Sequence, residues 1–429
     1  MNEYVKLLRN KYYRKFLIAM TVLQLGRKVS WIALAWFVYE VTGSALSIGI
    51  VIFSATISPL LSSIFVGGIL DKYDRRNIMI FENIIRGTLL LSIPLLFWFD
   101  LLNFQLIITV VVINGILSSF TTIGTSAILP SFIHEDDLET ANALFTMSWQ
   151  IAFLVGPAIG GLCVAAFGSP ITLLLDVLAF YIASFLYYKI PQEVYQRDQT
   201  IDTSKDDNKS NSQRVLSFFK DTKAGFTFIF KFPVLIVIAV VTLLFNFAYG
   251  PLEPMFPIYV DKVLQSGPET LGLMWTFFAI GSLLGAFLWV RFKKNFAYSH
   301  ALGSVIILWG IVPFLLTKVD TPFLVFAFMF FGGAVYAPYN IVAPTLRQRL
   351  VPNQIRGRVF GAYGLIGGLG LPLGVYVGGL LGEYYGAIHT IFLSSIFTFC
   401  LGIFVFMHPA LRFTKAETLK VPEDYKSLN

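Results

Sequence analysis

Charge is scarce in this sequence. Only 13% of its 429 residues are Asp, Glu, Lys or Arg, against about 25% in soluble domains. That supply cannot clothe a water-exposed surface of this size, so a set of soluble domains is excluded. Cysteine is nearly absent. Cys163 and Cys400 both lie in apolar runs, too few for a disulfide framework or a thiolate cluster. The four histidines (His134, His300, His389, His408) fall in separate loops or at span ends, so no metal site is expected. No phosphate-cradling G-x-x-x-x-G-K-[ST] loop, H-E-x-x-H zinc motif or G-x-S-x-G elbow occurs. An enzyme is not expected, no cofactor is implied, and ATP does not power the chain by that device. Apolar residues are abundant: 56% of the chain is hydrophobic, with 42 Phe and 34 Gly, and the mean hydropathy is +0.72.

About 20 apolar helical residues cross a bilayer core of about 30 Å. Such runs occur at roughly 16–39, 47–70, 78–99, 104–128, 142–167, 171–188, 233–257, 271–292, 300–317, 322–345, 358–381 and 388–407. Tight hairpins such as Thr42-Gly43-Ser44 and Gly168-Ser169-Pro170 join several of them, because Gly and Pro end helices. The first run follows a basic N-terminus but is too long for a signal-peptide core, and reads as a retained helix. The sequence therefore predicts an all-α membrane protein with twelve transmembrane helices.

Lys and Arg set the orientation. With both termini in the cytoplasm, 27 of the 32 fall on the cytoplasmic side; only Lys262 and Lys318 fall outside, and Arg27, Lys28 and Arg86 lie within spans. The formal charge of +7 thus reports topology, and no nucleic-acid partner is expected. Gln192–Arg214 is polar and reads as a solvated linker. The stretch that follows, through Phe226 and Phe230 with Lys220, Lys223 and Lys231 interleaved, suits an amphipathic helix on the inner membrane surface. The expected division is 1–190 and 232–408 as two six-helix bundles, 191–231 as the linker between them, and 409–429 as a cytoplasmic tail.

The halves echo each other at an offset near 215. Pro157 among Gly156, Gly160 and Gly161 matches Pro372 among Gly370, Gly374 and Gly378, and Arg75-Arg76 matches Lys293-Lys294. Parallel six-helix repeats around a midplane site are a transporter architecture.

Three motifs carry a resemblance. Gly67-Gly68-Ile69-Leu70-Asp71-Lys72-Tyr73-Asp74-Arg75-Arg76 resembles the G-x-x-x-D-[RK]-x-x-R-R loop of the major facilitator superfamily. Gly156-Pro157-Ala158-Ile159-Gly160-Gly161 resembles the glycine–proline signature of its antiporters. Gly250-Pro251-Leu252-Glu253 together with Arg356-Gly357-Arg358 resembles its macrolide-efflux and enterobactin-exporter branch. The likeness covers about residues 10–410. It implies the major facilitator fold, in two pseudo-symmetric bundles that alternate access. It also implies a cytoplasmic gate of Gly67, Asp71, Lys72, Asp74, Arg75, Arg76, Arg356 and Arg358, in which Asp71 sits beside the eleventh helix. Gly67 would allow close helix packing there.

Helix one departs from that branch, because two cations follow Gly26. Arg27 lies about 16 Å into its span at 1.5 Å per residue. A charge at that depth costs at least about 2.5–3.5 kcal/mol, so it needs a wet cavity or a partner. Gln24, Arg27 and Trp31 share one helix face by spacing. Arg27 either contacts an anionic or carbonyl-rich substrate or forms a structural ion pair. Asp176 lies clearly inside a span, and Glu253 sits among Pro251, Pro254 and Pro257; these are the candidate proton carriers. Glu82 and Arg86, spaced i, i+4, read as a structural pair near the inner gate. Asn114, Gln150, Asn246, Tyr249 and Asn340 are further candidates for a substrate cavity.

The expected activity is secondary active export of an amphiphile, a macrolide-like drug or else a siderophore or metallophore, in exchange for protons. The expected setting is the cell membrane, with the lipid bilayer as surroundings and a monomeric chain. Different readings are a lipid flippase or a transporter-like membrane sensor.

Overall fold

The computed structural model describes residues 2–196, 222–292 and 297–412. Among these, the long elements are all helices. They are α1 (Asn2–Arg9), α2 (Lys11–Thr42), α3 (Ala45–Lys72), α4 (Arg75–Trp98), α5 (Phe104–Ile128), α6 (Leu138–Phe167), α7 (Ser169–Tyr188) and the short α8 (Gln192–Gln196). A helix over 222–231, α9, precedes α10 (Pro233–Tyr249), α11 (Leu252–Lys262), α12 (Pro268–Phe292), α13 (Tyr298–Leu316), α14 (Pro322–Leu350) and α15 (Arg356–Met407).

Eleven helical segments among the described residues are long and apolar enough to span a membrane. The eleventh and twelfth predicted spans are merged into α15. Gly386, at φ +78°, breaks it, and a left-handed residue of that kind favours glycine. Gly43 (φ +62°) and Gly168 (φ +83°) turn the chain in the same way at the hairpins. The seventh span is likewise composite, since α10 stops at Gly250 and α11 restarts at once. Asp74 and Asn103 accept hydrogen bonds from the backbone at the starts of α4 and α5, satisfying donors that a helix end leaves open. Of the expected linker, Gln192–Gln196 is helical and 197–221 lies outside the described residues. The described remainder of the expected amphipathic helix buries Phe228 and Ile229 and exposes Lys223 and Lys231.

The chain forms two compact units. The first holds Met1–Val41, Ser54–Val215 and Gly267–Gly272; the second holds Thr42–Phe53, Leu216–Ser266 and Leu273–Asn429. Within each unit, glycines set the helix spacing. In the first, a Cβ on Gly160 would lie 2.9 Å from the Val29 carbonyl oxygen. In the second, Cβ atoms on Gly281 and Gly333 would overlap the carbonyl oxygens of Phe330 and Phe278, so α12 and α14 touch backbone to backbone. Gly281→Leu is therefore expected to destabilise the fold by roughly 1–3 kcal/mol, the usual cost of overpacking. Thermal unfolding in detergent measures this, with exposed Val290 changed to Leu as the neutral control.

Candidate functional site

In the first unit, four charged side chains from three helices converge. Asp176 (α7), Glu82 and Arg86 (both α4) are only 5%, 3% and 3% exposed. Arg27, midway along α2, is exposed and interacts electrostatically with all three. Glu82 and Arg86 pair at 3.5 Å across one helical turn. Glu82 also accepts from Asn83 Nδ2 at 2.9 Å and from the Thr121 hydroxyl. Arg86 Nε donates to Asn114 Oδ1 at 3.1 Å, and the guanidinium lies 4.4 Å from the centre of the Phe180 ring.

Asp176 faces Gly26, where a Cβ would stand 2.6 Å from Oδ1. Ser30 hydrogen-bonds the Asp176 side chain, while Oδ1 itself is buried with no hydrogen-bond partner. Two acids and two bases leave the cluster with no formal net charge, which is what makes their burial tolerable. By helix rise, Glu82 sits about 10 Å from the start of α4 and Asp176 about 10 Å from the start of α7, at opposite ends of their spans. Arg86 lies between them. The Glu82–Arg86 pair expected at the gate end is present, and it also belongs to this cluster. Glu82 still reaches toward that end. It lines a cavity of about 440 Å³ with Tyr73, Asp74, Asn77 and Phe81.

Nearby, Lys28 lies 4.7 Å from the Phe153 ring and 5.9 Å from the Trp149 ring. Gln24 and Trp31 are half-buried on the Arg27 face, and Gln150 is exposed.

The second unit holds rings where the first holds charges. Tyr249 lies 6.3 Å from Trp275, 6.0 Å from Trp309 and 6.2 Å from Tyr336. Phe245 and Phe278 join this cluster through Tyr336, each 5.7 Å from it. Its polar handles are Glu253, hydrogen-bonded to Tyr249, and exposed Asn340, hydrogen-bonded to Tyr336. Asn246 is used differently, its amide donating to the Gly367 carbonyl at 2.9 Å. One turn away, the Thr242 hydroxyl meets the hydroxyls of Tyr339 (2.9 Å) and Tyr363 (2.7 Å), with Arg347 4.0 Å from the Tyr363 ring. Trp309, Phe278, Tyr339 and Tyr363 were not among the expected site residues. Among 42 Phe and 19 Tyr, only the Tyr336/Tyr339/Asn340 spacing on α14 hinted at a shared face.

The sequence profile of the transmembrane secretion effector family matches residues 5–427. The chain belongs to that family, within the major facilitator superfamily. The transporter is 25% identical to multidrug efflux pump Tap of Mycolicibacterium fortuitum over 397 residues, covering 90% of this chain and 93% of the relative. It is 23% identical to macrolide efflux protein A of Streptococcus pyogenes, covering 86% and 89%. Among solved structures, it superposes on the nucleoside transporter NupG with a TM-score of 0.73 at 16% identity, covering 92% and 98%. On a D-xylose–proton symporter the TM-score is 0.69 at 12% identity, covering 96% and 100%. At such identities these structures share the fold. The protein is therefore a multi-pass membrane transporter of small molecules and not an enzyme.

The superfamily loop is tied down within the first unit of the transporter. Asp74 caps α4 through Asn77 N and accepts from Gln192 Nε2 at 2.6 Å. Arg75 bonds the Leu70 carbonyl, and Arg76 the carbonyls of Tyr187 and Tyr188 at the end of α7, where a helix leaves acceptors open. The close packing expected at Gly67 is not found, because a Cβ there would meet nothing within 4 Å. The side chains of Asp71 and Lys72, and with them the expected latch to the eleventh span, lie outside the described set. In the second unit Arg356 donates to the Gln348 carbonyl at 3.2 Å, and its Nε is buried without an acceptor; Arg358 contributes its backbone to a contact with Gly225.

In the antiporter-like signature Gly156, Pro157, Gly160 and Gly161 are buried and Ala158 and Ile159 half-buried; Gly156 seats the Lys28 side chain, and Gly161 and the Pro157 carbonyl meet Gly272.

Proposed function

We propose that the transporter exports amphiphilic, drug-like molecules from the cytoplasm in exchange for protons, by alternating access. The observation that supports it most is the neutral four-charge cluster of Arg27, Glu82, Arg86 and Asp176. Protonating Asp176 leaves that cluster with one positive charge, whereas the deprotonated cluster is neutral. A proton and a cationic amphiphile then compete for one electrostatic state, which is the requirement for antiport. Each ligand shifts the equilibrium only through its differential affinity for the two states. The rings around Tyr249, with Glu253 and Asn340 at their edge, suit the apolar body of such a molecule, as do the efflux relatives. Glu253 is the second candidate proton carrier. The excess of basic residues supports a cytoplasmic location for both termini in the cell membrane, and a monomer suffices for this mechanism.

The deciding experiment is uptake of a fluorescent cationic drug into inverted vesicles. Under this reading an acidic interior drives accumulation and collapse of the pH gradient reverses it. Accumulation indifferent to the gradient would mean uncoupled movement, as in a lipid flippase.

A second substrate class follows from the exposure of Arg27, since an accessible guanidinium suits a carboxylate or catecholate group of a siderophore. Arg27→Gln is expected to lower transport of anionic compounds about tenfold, the worth of roughly 1.4 kcal/mol, and that of cationic ones little. Competition assays with paired anionic and cationic dyes check this. Equal losses would assign Arg27 to structure alone.

A further inference from the structure

Two arginines of the second unit cross between α14 and α15, where the first helix stops and the second starts. Arg347, near the end of α14, reaches the Tyr363 ring on α15, its guanidinium 4.0 Å from the ring centre. Arg356, the first residue of α15, reaches back and donates from Nη2 to the Gln348 carbonyl at 3.2 Å. Both side chains are half-buried, and on both the Nε–H is buried with no hydrogen-bond partner. A buried donor left without an acceptor is costly, the more so on a charged group. Two such donors on crossing side chains call for an anion with several acceptor oxygens.

The second unit does not supply that anion. Its acids among the described residues are Glu253, Asp261, Asp320 and Glu383. By helix rise, Asp320 stands about 40 Å from Arg347 along α14, and Glu383 about 40 Å from Arg356 along α15. Glu253 lies about 16 Å beyond Thr242, which meets the Tyr363 hydroxyl, and Asp261 lies farther still. The charges that do gather here are basic: Arg349 and Arg358 beside the pair, with Lys223 and Lys231 on α9. That helix packs on the start of α15, since a Cβ on Gly225 would overlap the Arg358 carbonyl oxygen. It leaves Lys223, Lys231 and Phe230 exposed. Cations beside an exposed ring on a short helix suit the depth of lipid headgroups.

We propose that Arg347 and Arg356 bind the phosphate of an anionic phospholipid in the leaflet bordering this end of the second unit. A guanidinium matches phosphate oxygens in geometry as well as charge. One bound phosphate accepts from both orphaned donors and ties α14 to α15. A zwitterionic headgroup suits the place less, because its ammonium finds no carboxylate among the described residues here. The site is separate from the four-charge cluster and stands whether or not protons drive export.

Purified full-length transporter would be titrated in detergent with phosphatidylglycerol, with phosphatidylcholine and with inorganic phosphate at constant ionic strength. Native mass spectrometry reads the first lipid bound, and the melting temperature reads the phosphate arm. Phosphatidylglycerol is expected to bind about tenfold more tightly than phosphatidylcholine, the factor that about 1.4 kcal/mol supplies. Arg347→Gln and Arg356→Gln should each weaken it by about tenfold on the same scale. Arg349→Gln removes the same charge from an exposed side chain and should change it little. Arg356→Lys keeps the charge without the planar fork and should recover only part of the affinity. Equal binding of the two lipids, or an equal loss in Arg349→Gln, would reduce the site to general surface attraction and overturn the proposal. Inorganic phosphate that protects as well as the lipid would overturn the lipid assignment in favour of a soluble phosphate compound. No binding in any arm would leave both donors to water and overturn it too. Should a glutamine variant fail to fold, the wild-type comparison of the two lipids and Arg356→Lys decide by the same criteria.

Discussion

Inverted vesicles carrying Asp176→Asn are expected to lose gradient-driven drug accumulation altogether, with the protein still present in the membrane. For an exchange of one proton per drug molecule, each pH unit is worth about 1.4 kcal/mol and sustains about a tenfold accumulation. The amide cannot release a proton, so the gradient has nothing to act on. Asn also fixes the cluster in the charge state of protonated Asp176, with Arg27 and Arg86 facing Glu82 alone. A cationic drug should consequently bind more weakly as well. Downhill movement of labelled drug distinguishes the two losses, since it needs binding but no proton cycle. Because Asn is nearly isosteric and retains an acceptor for Ser30, the fold should survive; removing one partner from a buried ion pair otherwise costs about 3–5 kcal/mol. Asp176→Glu offers no rescue, since the approach of Gly26 leaves no room for another methylene. Unchanged pH-driven accumulation in Asp176→Asn would take this residue out of the coupling scheme.

The spans were legible because a bilayer imposes length and apolarity on each helix separately, and both are local properties. The joints were harder to place. Continuous helical hydrogen bonding carries α15 across the predicted eleventh hairpin, and only the sign of φ at Gly386 reveals the turn. The charge cluster was legible only in part. Asp176 and Arg27 stand out because charge inside a span is expensive. Their neighbours, however, come from Glu82 and Arg86 about ninety residues before Asp176, and spacing within one helix cannot report which other helix it faces. The same limit applies to Gly67, which belongs to a packing motif by sequence and borders open space in the fold. It also applies to the aromatic cluster, where Trp309 and Phe278 differ from lipid-facing rings only in what other helices bring to them.

Gly272→Leu is expected to lower transport about 5- to 150-fold while leaving thermal stability nearly unchanged, the opposite of Gly281→Leu. Both substitutions commit a similar steric offence. A Cβ on Gly272 would overlap the Pro157 carbonyl oxygen and come within 3.1 Å of the Gly161 Cα, and one on Gly161 would in turn lie 3.1 Å from the Gly272 Cα. The difference lies in where the cost falls. Gly281 and Phe330 sit together in the second unit on α12 and α14, and that contact has no reason to part during a transport cycle. Gly272 is the last residue of the short stretch of α12 counted with the first unit, while the rest of its helix belongs to the second. A contact made at such a crossing can form in one state and part in another. The roughly 1–3 kcal/mol of overpacking then burdens one state of the cycle and shifts the equilibrium by about 5- to 150-fold, sparing the other state and the overall fold. Melting temperature and vesicle transport measured on both variants test this together. A Gly272→Leu protein that melts early, like Gly281→Leu, would make the Gly161–Gly272 contact a permanent part of the core and deprive the buried glycine–proline signature of any part in the cycle.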